Sequence, residues 1–118
     1  MPFIKVFTNV SRAQINSKQA LAAFTTALSQ GLDRSEAVVR VLLKLDSELA
    51  MGNSTEPCAI IHIGSMANIN ADSNPKTIRL VTDVAEKTLL APGSRVLVTL
   101  EQLEPSNCGV NGEMMKPL

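Results

Sequence analysis

The chain has 118 residues, which suits one domain, and its 11 Lys and Arg side chains are balanced by 11 Asp and Glu side chains. Zero net charge without a basic run disfavours nucleic-acid binding, and we expect no membrane insertion because no apolar stretch is long enough to cross a bilayer. Hydrophobic residues make up 45% of the chain, enough for a buried core, but aromatic residues only 3%, so any pocket must be lined by aliphatic and Met side chains.

The first elements predicted along the chain are a strand and a helix. Residues 3–8 alternate apolar and polar side chains, which is typical of a strand. Residues 17–30 place apolar groups at helical spacing along one face. Asn16 or Ser17 can cap the start of this helix, and Gly31 lies where a helix would stop.

A second strand and a second series of the same elements follow. Residues 38–45 are almost continuously apolar, which indicates a buried strand, and residues 59–63 form a short apolar strand. The pair Asn74-Pro75 supplies a cap and a proline at the first helical position, and the helix stops before Pro92. Residues 95–100 complete the series with a last core strand.

The strand–helix–strand order therefore occurs twice, in halves spanning residues 2–57 and 58–118 of a single domain. We predict an α+β fold of two pseudo-symmetric β-α-β repeats, with a four-stranded mixed sheet and both helices on one face. The second face of this sheet would be uncovered in a monomer. Packing of identical copies would cover it, so we infer a closed homo-oligomer.

The start of the chain, Met1-Pro2 before a strand, is the strongest candidate for chemistry. If Met1 is removed, Pro2 carries a free secondary amine. An α-amine has an ordinary pKa of about 7.7–8.0, and apolar surroundings lower this pKa by disfavouring the ammonium form. A neutral amine held there could serve as a general base.

Other candidate groups point to structural roles. His62, the one histidine, lies between two isoleucines on a predicted strand and has no Cys or His cluster beside it, so we expect no metal. No nucleotide or cofactor motif occurs, and we expect no cofactor. Cys58 and Cys108 suit reduced, buried thiols of a cytoplasmic protein. We expect no secretory signal, because no basic segment leading into a long apolar segment occurs near the start.

A set of short segments is more distinctive: Met1-Pro2, residues 8–10, residues 52–59, residues 63–67 and residues 107–112. Together they resemble the macrophage migration inhibitory factor family, which includes D-dopachrome tautomerase, over nearly the whole chain. The run Ser54-Thr55-Glu56-Pro57-Cys58 within residues 52–59 carries most of the specificity. The Met-Pro-Phe start resembles the dopachrome tautomerase branch.

The resemblance implies a tautomerase fold that forms a homotrimer, with strands of one subunit extending the sheet of the next. It implies keto–enol tautomerisation of phenylpyruvate-like aromatic keto acids or of dopachrome-like compounds, without a cofactor. The terminal proline is the base in this family, and that role falls on Pro2. The alternative is a cytokine-like signalling protein that leaves the cell without a signal peptide and binds a cell-surface receptor, with a vestigial pocket.

The resemblance also places Arg34 where the family has a lysine that binds the substrate carboxylate. Arginine offers a permanently charged, two-pronged donor, so carboxylate binding could survive the change. The neighbouring Asp33 could instead hold Arg34 away from a substrate, and a plain solvated turn residue is the remaining interpretation.

Five further pocket positions depart from the family pattern. Ser65 and Met66 fall at a main-chain contact near the proline, and Val110 replaces a bulky residue at the rim. Leu97 and Thr99 replace a tyrosine and an asparagine that reach the pocket from the neighbouring subunit. We therefore expect a wider, less selective pocket and reduced catalytic activity.

Overall fold

The computed structural model describes residues 1–117. Along these residues the elements are β1 (Phe3–Thr8), α1 (Ser17–Leu32), β2 (Arg40–Lys44), β3 (Ala59–Ser65), α2 (Asn74–Thr88), β4 (Val96–Gln102), β5 (Gly109–Val110) and β6 (Glu113–Met114). Strands β5 and β6 pair as a small hairpin.

The larger sheet has the strand order β2-β1-β3-β4. Strand β1 is parallel to β2, β3 is parallel to β4, and β1 and β3 run antiparallel through the centre. Each parallel pair is joined by one helix, which gives the units β1-α1-β2 and β3-α2-β4. The predicted α+β fold, with two β-α-β repeats and a mixed four-stranded sheet, is confirmed.

Both helices pack against one face of this sheet. Ile4 and Val6 of β1 are fully buried in the same core cluster as Phe24 of α1 and Val81 of α2. Strand side chains alternate between the two faces, so Lys5 between those two core residues is exposed. The predicted placement of both helices on one side is therefore confirmed.

The opposite face of the sheet, which no helix of the described chain covers, is called here the open sheet face. Strand register sets its residues in rows across the sheet: Arg40, Phe3, Gly64 and Glu101; then Leu42, Lys5, His62 and Thr99; then Lys44, Phe7, Ile60 and Leu97. Four large apolar side chains on this face are 36% to 57% exposed, namely Phe7, Leu42, Ile60 and Leu97. Such a density of exposed apolar groups is typical of an interface.

Helix α1 begins as predicted but ends later. The Asn16 side chain accepts a hydrogen bond from the Gln19 amide (3.0 Å), so Asn16 is the cap. Gly31 does not stop the helix, which continues to Leu32 and ends at Asp33 in the left-handed conformation. A Cβ at Gly31 would lie 2.7 Å from Thr77 Oγ1 and 3.1 Å from Thr77 Cα, so this glycine lets the two helices approach closely.

Replacing Gly31 by alanine is therefore expected to destabilise the fold, although alanine favours helices. The new methyl group would overlap the α2 backbone, and we expect a net loss of about 1–2 kcal/mol in the free energy of unfolding. Urea denaturation measures this loss, with Gln30→Ala at the exposed neighbouring position as the control. Unchanged or increased stability of Gly31→Ala would show that the helices can separate at little cost.

The start of α2 also differs by one residue from the prediction. Ser73 occupies the cap position, and Asn74 is the first helical residue, followed by Pro75. The Asn74 side chain accepts a hydrogen bond from the Asn70 amide (3.1 Å), so it stabilises the preceding turn rather than capping the helix. Asparagine is common both at helix caps and in turns, and the sequence alone does not show which of these two roles Asn74 has.

Two polar side chains hold the loop between β2 and β3. Asn9 Nδ2 donates to the carbonyls of Leu49, Thr55 and Glu56 at 2.9–3.2 Å, and its Oδ1 accepts from the Cys58 amide. Arg95 donates to the carbonyls of Ser54, Glu56 and Pro57 at 3.0–3.1 Å. These bonds explain why two of the distinctive segments, around Asn9 and around residues 54–58, occur together. The Asn9 side chain supplies hydrogen-bond partners for backbone groups of the second segment.

Candidate functional site

Pro2 lies at the start of β1, and less than 2% of its side chain is exposed. Its carbonyl accepts a hydrogen bond from the Arg40 amide (3.1 Å), which ties it to the start of β2. Phe3 pairs with Gly64, so Pro2 lies level with Ser65 at the end of β3. A Cβ at Gly64 would come within 2.4 Å of the Phe3 ring, so glycine is needed for that ring to lie across β3.

The α-amine of the chain lies in a setting that disfavours its charge. In this structure Met1 carries the amine, and burial lowers its pKa from the ordinary value of 8.0. The charges of Arg34 and Arg40 lower this pKa further, whereas Cys108 acts in the opposite sense. Loss of Met1 would move the amine one residue inward, onto the more deeply buried Pro2.

Arg34 lies in the turn that follows α1. Asp33 turns the chain with a φ of 53°, the Arg34 amide donates to the Ser29 carbonyl (3.1 Å), and the Ser29 hydroxyl donates to the Arg34 carbonyl. The Arg34 Nη1 donates to the backbone carbonyl of Asp33 (3.1 Å). Within residues 1–117 no carboxylate forms an ion pair with Arg34, so its charge is free to meet an anion.

Ser65 and Met66 form a buried wall beside Pro2. The Ser65 hydroxyl donates to the Ala67 carbonyl (2.7 Å) and accepts from the Ala67 amide (3.2 Å), so it serves the turn after β3. The Ser65 carbonyl accepts from the Leu103 amide (2.8 Å). Met66 is only 5% exposed and contributes an apolar surface.

The β5–β6 hairpin carries Val110, the residue predicted at the rim of the pocket. Val110 is half-buried on β5 and pairs with Glu113 of β6. Cys108, just before β5, is a half-buried free thiol rather than the buried one expected.

Leu97 and Thr99 lie away from Pro2 within one chain. Thr99 is level with His62, and Leu97 is level with Ile60, which is five positions from Ser65 along β3. At about 3.3 Å per residue, Leu97 is about 16 Å along the sheet from the level of Pro2. A single chain therefore does not bring these two predicted residues to the candidate base.

His62 forms a polar network on the open sheet face. Its Nδ1 lies 2.7 Å from Thr99 Oγ1, and its Nε2 lies 3.1 Å from Glu101 Oε1. The Phe3 ring is tilted against the imidazole with centroids 6.0 Å apart. These partners arise from the parallel pairing of β3 with β4, which the sequence around His62 does not reveal.

Within the part of the chain that the structure describes, no group of three His, Cys, Asp or Glu side chains could hold a metal ion. None of the helices there is both long enough and apolar enough to cross a membrane.

An apolar cleft of 380 Å³ opens at the other end of β3. It is lined by Leu49, Met51, Cys58, Ile60, Arg95 and Leu97, among others. Since Pro2 is level with the last residue of β3 and the cleft with its first, the cleft and the candidate base lie at opposite ends of the sheet.

Comparisons with known proteins agree with this geometry. A family model described as "Macrophage migration inhibitory factor (MIF)" matches residues 1–116. The chain is 29% identical over 112 residues to the macrophage migration inhibitory factor of Xenopus tropicalis, covering 95% of this chain and 96% of that protein. The solved structure of the factor from Oncomelania hupensis has a TM-score of 0.91 at 25% identity, covering 98% of this chain and 83% of that one.

A second solved structure, the factor from Trichinella spiralis, shares the fold. Its TM-score is 0.90 at 22% identity, covering 96% of this chain and 99% of that one. Because the family match spans almost the whole sequence and the fold agrees with it, this chain belongs to the macrophage migration inhibitory factor family.

Proposed function

We propose that this chain is a cofactor-free keto–enol tautomerase, in which the Pro2 amine is the general base. Its substrates would be small aromatic keto acids or dopachrome-like compounds. The observation that supports this most strongly is the setting of the chain's amine, carried here by Met1: burial, and then the charges of Arg34 and Arg40, lower its pKa. A neutral amine next to cations is the arrangement that proton abstraction α to a carbonyl requires.

The proposed reaction moves one proton and leaves no net redox change. The lone pair of neutral Pro2 takes the proton from the carbon α to the ketone, and the C–H electrons form the enolate double bond. The ammonium then returns the proton to the enolate oxygen, which gives the enol. Arg34 binds the carboxylate and, with Arg40, stabilises the developing negative charge.

We also propose that the chain forms a homotrimer through the two rows of the open sheet face that carry its exposed apolar side chains, and that the row of Arg40 stays accessible. The four exposed apolar side chains of that face support burial against other copies. The separation of Leu97 and Thr99 from Pro2 supports a site completed by a neighbour, because a second copy could supply both. The number of three subunits is taken from the family resemblance, which implies a trimer.

A signalling role is the second candidate, and a receptor would be its partner. It is supported by the name of the relatives, which refers to inhibition of macrophage migration, and by the departures from the family pattern at Leu97 and Thr99. A macrophage migration assay with wild-type protein and Pro2→Gly separates the roles. Equal effects of the two proteins would favour signalling that does not depend on the amine.

The tautomerase proposal makes a pH prediction. The neutral amine is the active form, and the surroundings that lower the pKa of the Met1 amine from 8.0 would act on the Pro2 amine once Met1 is lost. We therefore expect kcat/KM for phenylpyruvate to rise with pH and to reach half its maximum below pH 8.0. In Arg34→Gln the midpoint should move to higher pH, because the neutral amine loses a favourable neighbouring cation. Rates are measured after subtraction of the buffer-catalysed reaction, and a flat profile would contradict an amine base.

A further inference from the structure

We propose that Arg34 and Arg40 together form a two-arginine anion site beside Pro2, and that this site selects keto acids that carry a second carboxylate. The inference rests on the proposed tautomerase function and narrows its substrate class. The family resemblance implies carboxylate binding by Arg34 alone.

The position of Arg40 follows from strand pairing. It is the first residue of β2, pairs with Phe3, and donates its amide to the Pro2 carbonyl (3.1 Å). Its side chain is exposed, and Nη1 donates to the Val38 carbonyl (3.3 Å). Since Val38 precedes β2, this bond turns the guanidinium back towards the end of the sheet where Pro2 lies.

Both arginine charges are available to a ligand. Within the described residues neither guanidinium forms an ion pair, and their side chains donate to backbone carbonyls instead. Two acidic side chains that could have neutralised them have other partners: Glu36 accepts from the Thr26 hydroxyl (2.9 Å), and Glu101 contacts His62 (3.1 Å). Both cations also lower the pKa of the chain's amine, as expected if both lie near it.

Two uncompensated guanidinium groups suit a dianion better than an aromatic monoanion. Arg34 would bind the carboxylate next to the ketone, and Arg40 would bind a second carboxylate at the exposed side. Each planar fork can make two charge-assisted hydrogen bonds with a carboxylate. The chain has no Tyr or Trp and only three Phe, so it offers little surface for stacking an aromatic substrate.

Fumarate and crotonate provide a matched pair of probes, since fumarate carries a second carboxylate where crotonate carries a methyl group. Neither compound can be tautomerised to a keto acid, so binding is measured without turnover. Binding to the protein with free Pro2 is measured by NMR titration. We expect fumarate to bind at least about fivefold more tightly than crotonate, a modest gain because the second contact is exposed. Arg40→Gln should remove this preference and change crotonate binding less than about twofold.

Two further variants complete the binding experiment. Arg34→Gln should weaken both ligands, since both present the carboxylate that Arg34 would bind. Arg79→Gln, at an exposed α2 position where the arginine contacts Asp83 (3.3 Å), is the control and should change neither. Equal affinity for the two probes, or equal weakening of both by Arg40→Gln, would overturn the two-arginine site.

A kinetic comparison separates this inference from the tautomerase proposal. Arg40→Gln should lower kcat/KM for tautomerisation of oxaloacetate, a dicarboxylic keto acid, about fivefold more than it lowers kcat/KM for phenylpyruvate, since only oxaloacetate presents a second carboxylate. If fumarate shows the Arg40-dependent preference but neither keto acid is turned over, the dicarboxylate site stands and the tautomerase function fails. If both keto acids are turned over without that preference, the tautomerase function stands and the site inference fails.

Discussion

Blocking the Pro2 amine is expected to abolish tautomerase activity. A residue added before Pro2, or Met1 retained, turns this nitrogen into an amide, which has no basic lone pair. General-base catalysis contributes about 10²–10⁴-fold to a rate, and we expect kcat for phenylpyruvate to fall by that factor. Pro2→Gly with a free terminus should be only partly impaired, because it keeps an amine of different basicity.

The comparison uses protein with free Pro2 and the same protein with one serine before Pro2, each verified by intact mass. Circular dichroism and native mass must agree between the two, so that a change in folding or assembly does not imitate a loss of catalysis. Full activity in the serine-extended protein would place the base elsewhere in the chain.

Leu42→Asp is expected to dissociate the oligomer and remove activity at the same time. Leu42 lies on the open sheet face in the row of Lys5, His62 and Thr99, and is 51% exposed in the single chain. A carboxylate buried at each copy of an interface without a partner costs several kcal/mol. We expect a monomer at micromolar concentration and at least about a tenfold loss of kcat/KM, since Leu97 and Thr99 of a neighbour would no longer reach Pro2.

Leu90→Asp is the matched control for this experiment. Leu90 is similarly exposed, at 54%, but follows α2 and lies outside the sheet. Its φ of 59° suits aspartate better than most residues. Light scattering should give the wild-type mass for Leu90→Asp and the monomer mass for Leu42→Asp. A Leu42→Asp protein of wild-type mass would show that copies do not meet through the open sheet face.

Much of the fold could be predicted because its signals are local. Strand β1 occupies residues 3–8 as predicted, since alternation of apolar and polar side chains directly reports which face is buried. The end of α1 was predicted too early, at Gly31. Glycine is common both where helices end and where two helices approach closely, and only the contact with Thr77 shows that Gly31 has the second role. The two-residue strands of the β5–β6 hairpin are too short to leave any periodicity.

The candidate site was predicted only where it rests on a motif. Pro2 and Arg34 came from the resemblance, and their roles remain predictions. Arg40 was not selected, because its proximity to Pro2 arises from pairing of β2 with β1. The proposed contribution of Leu97 from another subunit likewise depends on an assembly that no single chain displays.

The claim that Pro2 is a neutral base near physiological pH is tested most directly by NMR titration of its nitrogen. Protein carrying isotope-labelled proline and lacking Met1 is titrated in parallel with the pH dependence of kcat/KM. Because the surroundings that lower the pKa of the Met1 amine from 8.0 would act on Pro2 once Met1 is lost, we expect the Pro2 nitrogen to titrate below pH 8.0. Its midpoint should match the kinetic midpoint for the free protein. A midpoint at or above 8.0, or a kinetic midpoint unrelated to it, would contradict the role of Pro2 as the base.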